Sequence, residues 1–102
     1  MKMDTSRLKL VREFHNKYRA RIVQGLATYG EFDPVTDKRI LAHEGIEECL
    51  DIGSYLEMLE LKHPAMTPRI QKIRANVILL YGDLKKLEEE ELARTPEDRR
   101  SA

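Results

Sequence analysis

The sequence predicts an all-α protein, a three-helix antiparallel bundle completed by oligomerisation. Apolar residues recur every three or four positions along the chain, which is typical of helices, and no stretch alternates with the period of two that indicates a strand. Two short links divide this pattern into three segments, and short links favour antiparallel packing of consecutive helices. We therefore expect one all-helical domain over residues 1–93 and a polar, flexible tail over residues 94–102.

The first helix is expected over residues 6–28. One of its faces carries apolar side chains at helical spacing, namely Leu8, Val11, Phe14, Tyr18, Ile22 and Leu26. Gly30 is expected to end the helix, because glycine readily takes the left-handed conformation that follows a helix C-terminus.

The second helix is expected over residues 37–62. Thr36 or Asp37 can cap its N-terminus with a side-chain oxygen, and Pro64 stops it. Most of its circumference is apolar, and a helix that is apolar nearly all round is buried. A chain with only two other helices leaves part of that surface uncovered, so we expect a homodimer or a homotetramer.

The third helix is expected over residues 68–93, with Thr67 as its N-cap and Pro68 at its first position. It carries a heptad-like apolar seam of six residues: Ile70, Ile73, Val77, Leu80, Leu84 and Leu87. We interpret the run of glutamates at 88–91 as the solvated end of this helix, and a dedicated acidic binding tail is the alternative.

Composition excludes several classes of partner. Lys and Arg number 18, as do Asp and Glu, so the formal net charge is +0 and gives no general attraction to nucleic acid polymers or to membranes. No apolar run reaches the ~18 residues of a membrane span, and the N-terminus has no signal-peptide core. The one cysteine, Cys49, suits a reducing compartment and is interpreted as a small buried hydrophobe. We expect a cytoplasmic protein.

The second helix carries a carboxylate stripe, which we define as Glu44, Glu47, Glu48 and Asp51. Their spacing of i, i+3, i+4 and i+7 places them within an arc of about 100°. Like charges at this spacing repel, and burial among apolar neighbours raises the cost unless a cation neutralises them. Carboxylate oxygens suit Mg²⁺ or Mn²⁺. The alternative is a solvated acidic face paired with Lys and Arg from a neighbouring helix.

Two motifs then suggest a family. The tripeptide "TYG" at 28–30 precedes a polar loop, and Glu47-Glu48-x-x-Asp51 is followed by "YL" at 55–56. This arrangement resembles the MazG-like all-α NTP pyrophosphohydrolase superfamily, and most of all its small phage-type members. The resemblance covers about residues 15–62.

The resemblance implies hydrolysis of a nucleoside triphosphate, in our interpretation a deoxynucleotide, to a nucleoside monophosphate and pyrophosphate. It implies control of the nucleotide pool in the cytoplasm, which is the host cytoplasm for a phage-encoded enzyme. Mg²⁺ or Mn²⁺ would be held by Glu44, Glu47, Glu48 and Asp51, and Glu47 and Glu48 would be catalytic. We select Glu47, at the edge of the stripe, to activate water.

The larger relatives carry a second acidic motif, "ExxD", on the next helix, and the body of our third helix lacks it. Asn76 and Asp83 lie seven residues apart there and either supply ligands or serve as polar edge residues. Our candidates for substrate contacts are Lys17, Tyr55, Lys72 and Asn76, and their ordinary roles as surface or core residues are the alternative. The alternative function is a non-enzymatic helical interaction module whose acidic stripe meets the cations of a protein partner.

Overall fold

Helix α1 spans Thr5–Tyr29 in the computed structural model, which describes residues 5–94. Gly30 follows with a φ of 82° and donates its backbone N–H to the carbonyl oxygen of Leu26 at 3.0 Å. The expected helix is thus confirmed, as is the glycine that follows its C-terminus. The helix extends one residue beyond the expected range at each end. No residue of α1 is buried, and Phe14 on its apolar face is 68% exposed.

A tight turn follows α1 where the second helix was expected to start. The side chain of Asp33 accepts a hydrogen bond from the N–H of Val35 at 2.9 Å, and its carbonyl oxygen accepts one from the N–H of Asp37 at 3.0 Å. These bonds hold a turn over residues 34–36. The prediction that Thr36 or Asp37 caps the second helix is therefore wrong.

Helix α2 spans Leu41–Lys62, a 3₁₀ turn spans Pro64–Met66, and α3 spans Thr67–Ala93. The chain divides into two units, Met1–Asp37 with α1 and Lys38–Ala102 with the other helices. Residues 95–102, which make up most of the expected tail, lie outside the described residues. In the part of the chain that is described, no helix has the length and apolarity needed to cross a membrane.

Helices α2 and α3 form an antiparallel hairpin. Near the turn, Arg74 Nη2 lies 3.3 Å from Glu60 Oε1, and at the open end His43 Nδ1 lies 2.7 Å from Glu88 Oε2. The all-α class is confirmed, as is the antiparallel pairing of these two helices. The bundle of three helices completed by oligomerisation stays a prediction.

The core of the hairpin is small. Ile46, Cys49 and Leu56 of α2 are buried, as is Ile70 of α3, which is only 2% exposed. The prediction that α2 is buried around most of its circumference does not hold for the single chain, since Leu50 is 51% exposed. A chain that buries so little apolar area gains little free energy from its own core.

The expected seam of α3 is divided between two environments. Its first, third and fifth members turn toward α2: Ile70 is buried, and Val77 and Leu84 are half-buried. The other three lie on one flank of the hairpin, where helical phase also brings three apolar residues of α2. We name this flank the apolar face; its six members are each between 39% and 51% exposed, and they are Leu41, Ile52, Leu59, Ile73, Leu80 and Leu87.

Candidate functional site

The carboxylate stripe lies on the side of α2 that faces away from α3. The buried residues Ile46, Cys49 and Leu56 begin about 120° around the helix from Glu44, and no stripe residue falls among them. Glu44, Glu47, Glu48 and Asp51 are all exposed in the single chain. Helical phase brings Glu48 next to the apolar face, so the stripe and that face are neighbours.

Glu47 is the stripe residue with a partner. Its Oε1 lies 3.2 Å from Nε2 of His43, one turn earlier on α2. Glu44, Glu48 and Asp51 form no side-chain hydrogen bond or ion pair with any other residue of 5–94. Three carboxylates of the stripe thus have no ion-pair partner within the described chain, and like charges at this spacing repel one another.

His43 links the stripe to α3. Its other ring nitrogen, Nδ1, lies 2.7 Å from Oε2 of Glu88, whose side chain is only 23% exposed. The hydrogen bond with Glu88 raises the pKa of His43 above its ordinary value of 6.5. Desolvation opposes this rise, whereas the negative charges of Glu88, Glu47 and Glu44 add to it.

The N-terminus of α2 receives its cap from α3. Both carboxylate oxygens of Glu91 accept backbone N–H bonds, from Leu41 at 3.0 Å and from Ala42 at 2.8 Å. A carboxylate at this position satisfies helix N–H groups and meets the positive end of the helix dipole. Of the glutamate run expected to be solvated, Glu89 and Glu90 are exposed, whereas Glu88 and Glu91 are half-buried and hold the hairpin together.

The substrate candidates have different surroundings. Lys17 lies in α1 and pairs with Glu13 at 2.9 Å, an exposed pair one turn apart. Tyr55 is 68% exposed on α2 and follows Asp51 by one turn, so it extends the stripe. Lys72 and Asn76 are exposed residues of α3, and Asn76 borders the apolar face.

An apolar groove lies on the flank of the hairpin opposite the apolar face. It encloses about 310 Å³ and is lined by Cys49, Leu50, Val77, Ile78 and Tyr81. Tyr81 was not singled out in the sequence, although its spacing of i+4 from Val77 places both on the side of α3 that packs on α2. Lys85 Nζ lies 5.5 Å from the centre of the Tyr81 ring, a cation–π distance.

The donor set of the stripe fits a hard divalent cation. It offers carboxylate oxygens alone, at spacings that place them on neighbouring turns of one helix surface. Across residues 5–94 no three His, Cys, Asp or Glu side chains are already gathered into a metal site. The carboxylates have the oxygen-only chemistry that suits Mg²⁺ or Mn²⁺, although in this structure they do not converge on one point.

No protein-family model, curated protein or solved structure matches this chain. The resemblance to the MazG-like superfamily accordingly depends on the short motifs at residues 28–30 and 47–56.

Proposed function

We propose that this chain is a metal-dependent nucleoside triphosphate pyrophosphohydrolase that acts on deoxynucleotides in the cytoplasm. The carboxylate stripe carries the proposal. Four carboxylates lie on one side of α2, and three of them form no ion pair with another described residue. An arrangement of like charges that costs free energy is retained more readily where a bound cation relieves it.

In this scheme the four stripe carboxylates hold Mg²⁺ or Mn²⁺, with Glu47 as the ligand at the edge of the set. The bound metal supplies charge neutralisation to the triphosphate and to the transition state. Glu47 orients the attacking water and takes its proton, since it lies at the margin of the stripe and its carboxylate is held by His43 at 3.2 Å. The products are a nucleoside monophosphate and pyrophosphate.

Catalysis of this kind works best where bulk water is excluded. The stripe is exposed in the single chain, and in this proposal a second copy of the chain covers it. The apolar face next to Glu48 provides the surface that the second copy contacts. Burying its six half-exposed apolar residues is favourable in free energy. A homodimer, or a homotetramer built from two of them, buries this face and brings the stripe toward a shared cleft.

The alternative function is a helical interaction module without catalysis. The apolar face favours it as well, because an apolar flank bordered by Glu48 is also suited to a basic, amphipathic partner. The two functions differ in their need for metal. The enzyme requires Mg²⁺ or Mn²⁺, and the module does not.

The test is a screen of all NTPs and dNTPs with Mg²⁺ and with Mn²⁺, in which monophosphate and pyrophosphate are measured separately. Glu48→Gln and Asp51→Asn should abolish turnover and leave the fold intact, because each removes one charge from a repelling set. Glu57→Gln is the matched control, an exposed glutamate of the same helix outside the stripe. Equal rates for the parent and both stripe variants would exclude the site.

A further inference from the structure

Glu88, His43 and Glu47 form a chain of contacts that joins the two helices of the hairpin. Glu88 Oε2 lies 2.7 Å from His43 Nδ1, and His43 Nε2 lies 3.2 Å from Glu47 Oε1. The imidazole ring is thus held at both nitrogens, with one carboxylate from α3 and one from its own helix. A ring held at both nitrogens has a defined orientation, and so has the carboxylate at its far end.

The position of Glu88 is itself fixed by neighbouring contacts. One turn later, Glu91 accepts hydrogen bonds from the N–H groups of Leu41 and Ala42, which sets the start of α2 against α3. One turn earlier, Leu84 packs so closely on Gly45 that an added Cβ would lie 3.3 Å from its Cδ1. Between these two contacts Glu88 has little freedom to move relative to His43, and its side chain is only 23% exposed.

We infer that Glu88 is a positioning residue of the proposed active site, which acts through His43 to hold the Glu47 carboxylate in place. The inference depends on the proposed function, because it assigns Glu47 a place at the metal and the attacking water. Side chains behind the direct ligands fix ligand orientation, and their loss commonly costs ten- to a hundredfold in metal affinity or activity. Glu88 itself touches neither metal nor substrate in this scheme.

The experiment measures the Mn²⁺ dissociation constant by electron paramagnetic resonance, together with kcat and KM for the best substrate. Glu88→Ala should weaken Mn²⁺ binding about tenfold and lower kcat at saturating Mn²⁺, with little change in KM for the nucleotide. Glu88→Gln keeps an oxygen that accepts the His43 hydrogen bond and should recover most of both losses. Glu90→Ala removes a like charge from an exposed position of the same run and should match the parent.

A second variant separates positioning from stability. In His43→Asn the amide nitrogen replaces Nδ1, so the bond to Glu88 is kept whereas the contact with Glu47 is lost. This variant should melt close to the parent and still weaken Mn²⁺ binding as Glu88→Ala does, even where Glu88→Ala fails to fold. Parent-like Mn²⁺ affinity in folded Glu88→Ala and in His43→Asn would overturn the inference.

The same measurements distinguish failure of the proposed function. A parent protein that binds Mn²⁺ yet hydrolyses no triphosphate contradicts the reaction, and the Mn²⁺ affinities of the variants still decide the role of Glu88. A parent protein that binds no Mn²⁺ overturns both the metal site and the positioning role.

Discussion

Glu91 caps a helix that begins 50 residues before it: its Oε2 accepts the backbone N–H of Leu41 at 3.0 Å. Removal of a side-chain cap typically costs about 1 kcal/mol of stability and at most about 2 kcal/mol. Glu91→Ala should therefore lower the free energy of unfolding by about 1–2 kcal/mol, measured by urea denaturation followed by circular dichroism. Glu90→Ala is the control and should change it by less than about 0.5 kcal/mol. Equal losses in the two variants would contradict the cap.

The residue at which α2 starts shows which features of the fold can be predicted from the sequence and which cannot. The ends of α1 and α3 lie within one residue of expectation, because glycine and proline act locally. The prediction that Thr67 is the N-cap of α3 is wrong, since Met66 takes that position and no side chain among the described residues caps this helix. The start of α2 was misplaced because its cap, Glu91, comes from a distant helix, and no local pattern reports such a partner. The side chain of Asp33 accepts a hydrogen bond from the N–H of Val35 and so stabilises a turn just before the expected start of this helix.

The candidate site likewise has features that the sequence predicts and features that it does not. Helical spacing correctly grouped Glu44, Glu47, Glu48 and Asp51 on one side of α2, since spacing alone sets the side of a helix. The apolar surroundings of the stripe predict that it is partly buried, but all four carboxylates are exposed in the single chain, because burial depends on what packs against a helix and not on the pattern of the helix itself. The contact between Glu88 and His43 could not be predicted from the sequence either, since it depends on how α2 and α3 are aligned.

Gly45 and Gly82 provide a matched pair of substitutions. Alanine stabilises a helix interior by about 1 kcal/mol relative to glycine. Gly82 has no atom within 4 Å of an added Cβ, so Gly82→Ala should show that full gain in urea denaturation. At Gly45 the new Cβ would lie 3.3 Å from Leu84, which must move by a few tenths of an ångström. Gly45→Ala should therefore gain less than Gly82→Ala, and an equal gain would show that the packing there is loose.

The raised pKa of His43 predicts a pH-dependent contribution to stability. Because the folded state binds this proton more tightly, the contribution is fully present below the unfolded pKa, near 6.5, and is lost as pH rises through the folded value. His43→Asn removes the titration and leaves the other histidines, His15 and His63, in both proteins. The stability difference between parent and variant should therefore shrink from about pH 5.5 to about pH 8.5.

The ring of His43 is exposed, so this pH effect should be modest and should weaken in salt. Urea midpoints at low and high ionic strength measure both dependences. A difference between parent and variant that stays constant across this pH range, or grows with pH, is incompatible with a proton held by Glu88 in the folded state.

The apolar face predicts self-association. Leu80 lies within it and is 49% exposed, whereas its neighbour Leu79 is 68% exposed on the side of α3 away from α2. Sedimentation at low micromolar concentration should give a homodimer or homotetramer for the parent. Leu80→Lys should shift the protein toward a monomer of 11.9 kDa, because a charge in an apolar contact is costly. Leu79→Lys should not, and a parent that sediments as a clean monomer would contradict the oligomer.

The last prediction concerns metal and stability together. If the carboxylate stripe binds Mg²⁺ or Mn²⁺, the folded protein binds the ion far better than the unfolded chain, in which these carboxylates are dispersed. Binding to the folded state stabilises it by about 2.7 kcal/mol at a hundredfold excess over the dissociation constant. The melting temperature should rise with divalent metal and rise again with a triphosphate. Lower pH should weaken the effect, because carboxylates bind metal only when deprotonated.

Two controls separate a metal site from an acidic surface. NaCl at matched ionic strength screens charge without coordinating it, so a solvated acidic face responds to sodium and magnesium alike. Asp51→Asn should abolish the metal-dependent rise, whereas Glu57→Gln, on the same helix outside the stripe, should retain it. Equal melting shifts in matched NaCl and MgCl₂, with no further shift from any dNTP, would exclude the enzyme and favour the interaction module, because only the enzyme requires these carboxylates to converge on a metal ion.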